Sequence, residues 1–504
     1  MSAVALALAT NPGGYLLVLA IVLPVVGMLL SLVAGGRNAE RIALALMPAG
    51  LGIALVIAFG VWREQAPLVY ILGGWAPPLG IALRADGFSA VMLVTAALVV
   101  AAAGYFARPL FATPPQRAEA RAPLAFWTLL QGLWAALNMV FLGGDLFNLY
   151  VALELLTFAA VPLVCLDGRP ETLRAALRYL LFALIGSVFY LLGAALLYGS
   201  YGTLDIVLLA EGIRAAPVVA PATFAAGGLM TAGLLAKTAL FPLHLWLPPA
   251  HANAPAPASA VLSALVVKGS FFLVVRLWFD VMPGLASDAA MGLLGALGSG
   301  AILFGSVLAL RQRRLKLLIA YSTIAQVGYL FLMFPLAAGS EPWNGQAWNG
   351  GVMQALSHAF AKASMFLAAG LVAESLGHDR IADLRGIGHA MPMTLFAFGL
   401  GGLSLMGLPP SGGFTAKWLL LQATVEGGQW FWAAIVLCGG LLAGGYVYRV
   451  VAPALAASPL DVRASPSRGR EGIVLALAIA ALLLGFAPPG FLGLLQVGRA
   501  AIVP

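Results

Sequence analysis

The chain has 504 residues, 62% of them hydrophobic and only 9% charged, with a mean hydropathy of +0.98. That profile excludes an ordinary soluble globular protein and defines an all-α polytopic membrane protein, because apolar runs near the roughly 20 residues of a span recur from end to end. A formal net charge of +8 would suit nucleic acid, but the placement of the basic residues argues against it.

In chain order, the opening "MSAVALALATN" lacks the basic segment of a secretory signal and reads as a mature terminus. Polar breaks then separate fourteen candidate helices, starting near Gly14, Arg41, Gly87, Pro123, Leu146, Arg174, Val218, Pro255, Ala289, Arg314, Gly350, Met391, Trp430 and Glu471. Between the second and third, residues 68 to 86 partly alternate in polarity around a Gly/Pro centre, the mark of a short hairpin. Two Pro- and Arg-rich stretches, 112 to 122 and 457 to 470, read as loops, and no polar segment is long enough to fold alone. Residues 1 to 504 thus read as a single transmembrane domain. Cys165 and Cys438 fall within apolar runs, so no disulfide framework, metal centre or other cofactor is expected.

Two spans carry their own breakers. In the seventh, Pro242 follows Lys237, and "LPPAHANAPAPAS" comes after it; in the twelfth, "MGLPPSGGFTAK" interrupts an apolar run just before Lys417. Proline removes a backbone donor and leaves carbonyls unpaired. In lipid such a break persists only where it faces protein or a cavity. The breaks lie five spans apart, an odd number, so equivalent helices of the two halves run in opposite directions, as in transporters built from inverted repeats. The expected units hold five helices each, at 123 to 280 and 288 to 455.

Short loops rich in Lys and Arg stay in the cytoplasm. With the N-terminus outside, the inward loops and helix ends hold eighteen basic residues, from Arg37 and Arg41 to Arg468 and Arg470, whereas the outward side holds four, Arg63, Arg84, Arg214 and Arg499. Fourteen spans with both termini on the periplasmic side of a bacterial inner (plasma) membrane follow.

Five basic residues remain inside spans: Lys237, Lys268, Arg276, Lys362 and Lys417. With them are Glu154, His244 and His358. A charge at the centre of a span costs about 2.5 to 3.5 kcal/mol on insertion scales, so such residues point to function by default. Glu154, two turns into the fifth span, is either part of a functional pair with Lys237, part of a structural ion pair, or a carboxyl held protonated. Lys268 is too deep in the eighth span to reach either surface easily; its alternative role is a hydrogen bond to a broken-helix carbonyl. Arg276, two turns further out, is expected to reach the outer interface. His358 and Lys362 are four apart and share a helix face. His244, past the Pro242 kink, either carries protons or caps freed carbonyls. His251, His378 and His389 read as solvated loop residues. Burial favours the neutral form of a lysine and a neighbouring carboxylate restores the charged one. Such a row suits lateral proton transfer, from Lys237 to Lys268, to His358 and Lys362, and on to Lys417, with water at the breaks as the bridge.

The strings "GDLFNLYVALELL", "YLLFALIGSVFYLLGAALLYGSYGTLD", "AKTALFPLHLWLPPAHA", "YSTIAQVGYL", "SHAFAKASMFL" and "GLPPSGGFTAKWLLL" resemble, in order and spacing, the antiporter-like subunits shared by Mrp-type sodium/proton antiporters and respiratory complex I, nearest to the D type of the former. The resemblance implies a fourteen-helix fold with two inverted five-helix repeats, working among other hydrophobic subunits without a cofactor. It matches Glu154 to the fifth-helix glutamate of that family, Lys237 to the broken-helix lysine, Lys268 to the central lysine, Lys417 to the terminal lysine, and His358 with Lys362 to the eleventh-helix pattern. The activity implied is that of a transporter subunit, no enzyme by itself, conducting protons in a monovalent cation (Na+)/proton antiporter. The other implied role is proton pumping in a complex I-like or membrane-bound hydrogenase-like redox complex. "PPAHANAPAPASAV" is closer to the complex I and hydrogenase pattern, and "GTLD" places Asp205 where D-type subunits more often have asparagine. Because the sequence ends at Pro504, soon after the fourteenth span, the long lateral helix of the largest complex I relative is not expected.

Overall fold

The structure is a computed structural model that describes residues 9–114, 116–339, 341–457 and 462–499. The opening stretch Met1 to Leu8, read above as a mature terminus, and parts of the two polar loops lie outside the described residues.

Helices Tyr15–Ala34 (α1), Gly36–Glu64 (α2), Gly87–Ala107 (α3), Arg121–Leu142 (α4), Leu146–Val164 (α5) and Pro170–Tyr201 (α6) come first. A short helix, Ile206–Ala215 (α7), leads to Pro221–Thr238 (α8) and Leu247–Asn253 (α9). Then follow Ala256–Val281 (α10), Asp288–Arg311 (α11), Leu315–Ala337 (α12), Asn344–Leu376 (α13), Pro392–Met406 (α14), Gly412–Glu426 (α15), Trp430–Ala454 (α16), Arg468–Phe486 (α17) and Pro489–Leu494 (α18). Twelve helices among the described residues are long and apolar enough to cross a membrane, and the chain is a multi-pass integral membrane protein. The spans missing from that set are the two expected to be broken: α8 stops at Thr238 and α9 starts at Leu247, while α14 stops at Met406 and α15 starts at Gly412. Each pair counted as one interrupted span, twelve plus two makes the fourteen expected.

Helices begin earlier than the apolar runs alone indicate, at Gly36, Pro170, Asn344 and Arg468. The extra turns are polar, and proline at a first helical position has no intrahelical donor to lose. Where an acidic residue caps the helix the start is sharper. Asp86 Oδ1 accepts from Ser89 N at 2.8 Å, and Asp145 Oδ1 accepts from Phe147 N and Asn148 N at 2.9 Å. The expected hairpin is present, with Leu68–Ile71 (β1) antiparallel to Ala82–Ala85 (β2) and Leu68 opposite Ala85.

Each break is sealed by protein groups. At the first, Ala239 turns left-handed (φ 58°), and Trp246 Nε1 donates to the Ala236 carbonyl at 2.9 Å. At the second, the Leu405 carbonyl accepts from Lys417 Nζ at 2.6 Å and from Gln326 Nε2 at 3.1 Å. The most apolar stretches of α10 and α13 are wholly buried, whereas only 28% of those of α1 and α17 is buried. Small residues set the closest approaches around this centre. On α6 and α8, a Cβ on Gly186 or Gly233 would overlap the other's carbonyl oxygen, and α11 meets α12 at Gly298 and Gly328 in the same way.

Candidate functional site

Glu154 projects from α5 into the groove between α6 and α8. Its Oε1 accepts from Lys237 Nζ at 3.1 Å and from the Ser187 hydroxyl, while Lys237 Nζ also donates to Thr157 Oγ1 at 3.1 Å. Side-chain exposure is 6% for the lysine and 15% for the glutamate, so the pair is largely withdrawn from solvent but open along one edge of α5. The next residue, Thr238, donates to Ser270 Oγ on α10 at 2.9 Å, which carries polar contact onto the helix of Lys268.

Lys268 is fully buried. A π-turn at Leu262–Val266 widens α10, and Lys268 Nζ donates to the Ser263 carbonyl within it at 2.8 Å. The Ser263 hydroxyl lies 2.9 Å from Thr323 Oγ1 on α12. Thr323 in turn donates to the Ile319 carbonyl at 2.9 Å, and that carbonyl also accepts from Lys362 Nζ on α13 at 3.0 Å. A second bond from Lys362 reaches the Ser322 hydroxyl.

His358 lies one turn from Lys362 on the same helix, as expected. It is 1% exposed, and neither ring nitrogen has a partner among the described residues. Ser357 Oγ is 2.7 Å from Ser404 Oγ on α14, next to the carbonyls of Leu405 and Met406 on which Lys417 rests. Gln354 Nε2 donates to Gln326 Oε1 at 2.9 Å, and Gln326 shares the Leu405 carbonyl with Lys417. The Lys417 ammonium also stands 4.2 Å from the centroid of the Tyr329 ring, a favourable cation–π distance. From Glu154 to Lys417 the polar groups follow one another across α5, α8, α10, α12, α13, α14 and α15. The hydroxyls and amides of this thread carry no signal in the sequence, since isolated Ser, Thr and Gln in spans have no distinctive spacing.

Three expectations need correction or completion. His251 is no solvated loop residue: it sits in α9 with no exposed surface, its ring stacked on Phe366 of α13 with centroids 4.8 Å apart. The Pro/Ala-rich stretch around it reads as a loop but folds inward as α9 and the start of α10. Arg276 does lie towards the hairpin face, yet it is held inside the protein, with Nη1 2.5 Å from Asp86 and 2.7 Å from Asp280 and Nη2 2.9 Å from Ser89 Oγ. Burial alone would raise the Asp86 carboxyl, but the guanidinium beside it prevails and holds it below the ordinary carboxylate range. His244 is buried against Phe241 and Phe304, and makes no hydrogen bond to another member of the row. Trp246, not His244, meets the freed Ala236 carbonyl. His378 stands 3.6 Å from Asp383 at the surface, as a loop residue should, whereas His389, though exposed, lies in the short helix Ile387–Ala390.

A bundle with two interrupted spans and a buried row of lysines headed by one glutamate defines a membrane subunit of the antiporter-like class. The chain belongs to the family described as NADH:quinone oxidoreductase/Mrp antiporter, TM, whose model matches residues 143–443. It is 37% identical, over 81% of this chain and 79% of the relative, to the NADH-quinone oxidoreductase N subunit of Desulforudis audaxviator. To the Na(+)/H(+) antiporter D subunit of Alkalihalophilus pseudofirmus it is 29% identical, over 85% of this chain and 84% of the relative. A chain of the membrane-bound sulfane sulfur reductase, an archaeal respiratory membrane complex, shares the fold with a TM-score of 0.85 at 27% identity over 97% of both chains. Similarity therefore extends to both branches of the family.

Proposed function

We propose that this chain conducts protons along Glu154, Lys237, Lys268, His358, Lys362 and Lys417, with His244 as an accessory station, as one subunit of a multisubunit ion-translocating complex. The observation that carries this reading is the Glu154–Lys237 pair at 3.1 Å, with buried Lys268, Lys362 and Lys417 beyond it, each held by a hydrogen bond to a backbone carbonyl. A lone buried lysine is costly, and four in one row beside a single carboxylate have no packing purpose that an apolar residue would not serve better. Displacing Glu154 from Lys237, for instance by a partner's charge at its open edge, removes what favours the ammonium form. The proton then passes to the next site. The two five-helix units, 123 to 280 and 288 to 455, each supply one interrupted span as their fourth helix, which supports an inverted repeat with one half-channel per unit. The basic residues concentrate on the face opposite the hairpin, so the hairpin face and both termini are assigned to the outside.

Two assemblies fit this conduit. The 29% identity to a Na(+)/H(+) antiporter D subunit supports a partner set that exchanges sodium for protons. The 37% identity to a quinone oxidoreductase N subunit, together with "PPAHANAPAPASAV", supports a redox-driven complex. Companion subunits in the purified complex decide between them: small hydrophobic antiporter subunits in the first case, Cys-rich iron–sulfur subunits in the second. In vesicles holding the native complex, Glu154→Gln and Lys237→Ala are expected to abolish proton translocation while assembly persists; full activity in either variant rejects the conduit.

A further inference from the structure

α10 of the first five-helix unit meets α12 of the second at two buried hydroxyls. Ser263 on α10 and Thr323 on α12 are both 0% exposed, with their oxygens 2.9 Å apart. Thr323 has one hydroxyl hydrogen, and the Ile319 carbonyl at 2.9 Å takes it. Either hydroxyl can donate across this contact; while the Ile319 carbonyl holds the hydrogen of Thr323, Ser263 is the donor and Thr323 the acceptor. On the upstream side Lys268 Nζ rests on the carbonyl of Ser263 itself at 2.8 Å. On the downstream side Lys362 Nζ rests at 3.0 Å on the carbonyl that accepts from Thr323. The π-turn at Leu262–Val266 is what presents Ser263 in this way, and such turns recur at functional sites.

We infer that the Ser263 and Thr323 hydroxyls form the proton bridge that passes charge from Lys268 to Lys362, and so couple the two halves of the molecule. The inference rests on the lysine row acting as a proton conduit. The step balances. Through one water, Lys268 as ammonium gives a proton to Ser263 Oγ as Ser263 gives its own hydrogen to Thr323 Oγ1. Thr323 then releases its hydrogen towards neutral Lys362, directly or through one water. Lys268 ends neutral, Lys362 ends as ammonium, and each hydroxyl has gained one hydrogen and lost one. Both hydroxyls then point backwards and must rotate before the next passage.

The test uses the native complex in vesicles, with co-purification of the companion subunits as the check on assembly. Thr323→Val keeps shape and removes the hydroxyl, Thr323→Ser keeps the hydroxyl, and Ser263→Ala and Ser263→Thr do the same on α10. The bridge predicts that Thr323→Val and Ser263→Ala lower proton translocation at least about tenfold, as for loss of a proton-transfer group, and that Thr323→Ser and Ser263→Thr restore it. A merely structural role would give no rescue pattern that follows the hydroxyl. Lys268→Ala and Lys362→Ala are measured alongside. If these abolish translocation while Thr323→Val and Ser263→Ala run at the native rate in assembled complex, the bridge is overturned and the conduit stands. If the lysine variants are also at the native rate, the conduit itself falls.

Discussion

Gly186 on α6 and Gly233 on α8 approach so closely that neither has room for a β-carbon, and the Cβ that Gly186 lacks would also press on Lys237 Cγ. The Glu154–Lys237 pair hangs on this contact, because the depth at which α8 meets α6 sets how far the lysine reaches towards α5. Gly233→Ala must push the helices apart by part of an ångström. Overpacking of this kind costs about 1 to 3 kcal/mol, and the separation lengthens the ion pair. The expected outcome is a lower melting temperature with a loss of proton translocation out of proportion to the loss of folded complex. Gly228→Ala, on the same helix with open space around it, should leave both unchanged.

Charge in the Glu154–Lys237 pair separates stability from function. Glu154→Gln leaves the ammonium of Lys237 with only Thr157 and an amide oxygen, and breaking a buried pair costs about 3 to 5 kcal/mol. The partial exposure of Glu154, 15%, places the cost at the lower end of that range. Adding Lys237→Met removes the stranded charge. Thermal unfolding of the purified complex should fall in Glu154→Gln and recover in the double variant, while translocation stays absent in both. Recovery of transport in the double variant would show that the pair serves packing only.

Much of this arrangement is legible in the sequence because its cost is legible. Lysine and glutamate are rare in apolar runs, so Glu154, Lys237, Lys268, Lys362 and Lys417 stand out without any structure, and Pro242 and the second Pro-rich break show where helices cannot continue. The hairpin follows from its polarity alternation. What joins these residues is not legible. Ser263, Thr323, Ser404 and Gln326 are common residue types in spans, and only the three-dimensional meeting of α10, α12, α13 and α14 pairs them. His251 escapes a sequence reading for a related reason: "PPAHANAPAPAS" has the composition of a surface loop, yet the His251 side chain on α9 is folded into the bundle and fully buried. Asp86 and Asp280 are far apart in sequence, 86 against 280, and only their shared guanidinium, Arg276, shows that they belong together.

The hairpin face should respond to acid through Asp86. Its carboxyl titrates below the usual value of 3.8 because Arg276 outweighs the effect of burial. A group depressed in the folded state contributes stability that is present above its unfolded value and lost as pH falls through the folded one. Acid unfolding of the purified complex should therefore show a contribution from Asp86 only below about pH 3.8, absent in Asp86→Asn. Asp205, the cap of α7, has the opposite sign: burial raises its carboxyl above 3.8, so its charged form is disfavoured in the fold and its contribution declines as pH rises from 3.8 through the folded value. Asp205→Asn keeps the bonds to Val207 N and Leu208 N and removes that decline. Asp205→Ala loses the cap, at about 1 kcal/mol. Unfolding curves for the two variants that coincide at neutral pH would rule out the capping role.

His251 poses the sharpest contrast between what packing prefers and what the chain keeps. Its ring lies on Phe366, one turn from Lys362 on α13, and neither nitrogen has a hydrogen-bond partner among the described residues. A buried polar group left unpaired costs about 1 to 3 kcal/mol, so a phenylalanine should pack there better than the native imidazole. The surrounding segment is already fixed without the ring: Ser259 Oγ donates to the His251 carbonyl at 3.1 Å, and Lys316 Nζ to the Ala254 carbonyl at 3.1 Å. His251→Phe is therefore expected to raise the melting temperature of the complex by an amount equivalent to about 1 kcal/mol in stability, and to lower proton translocation because an imidazole packed on Phe366, one turn along α13 from Lys362, is lost. Translocation by the assembled complex, set beside thermal unfolding of the same preparation, gives the decisive reading. A variant that is more stable and fully active would make His251 a packing residue with no part in the conduit.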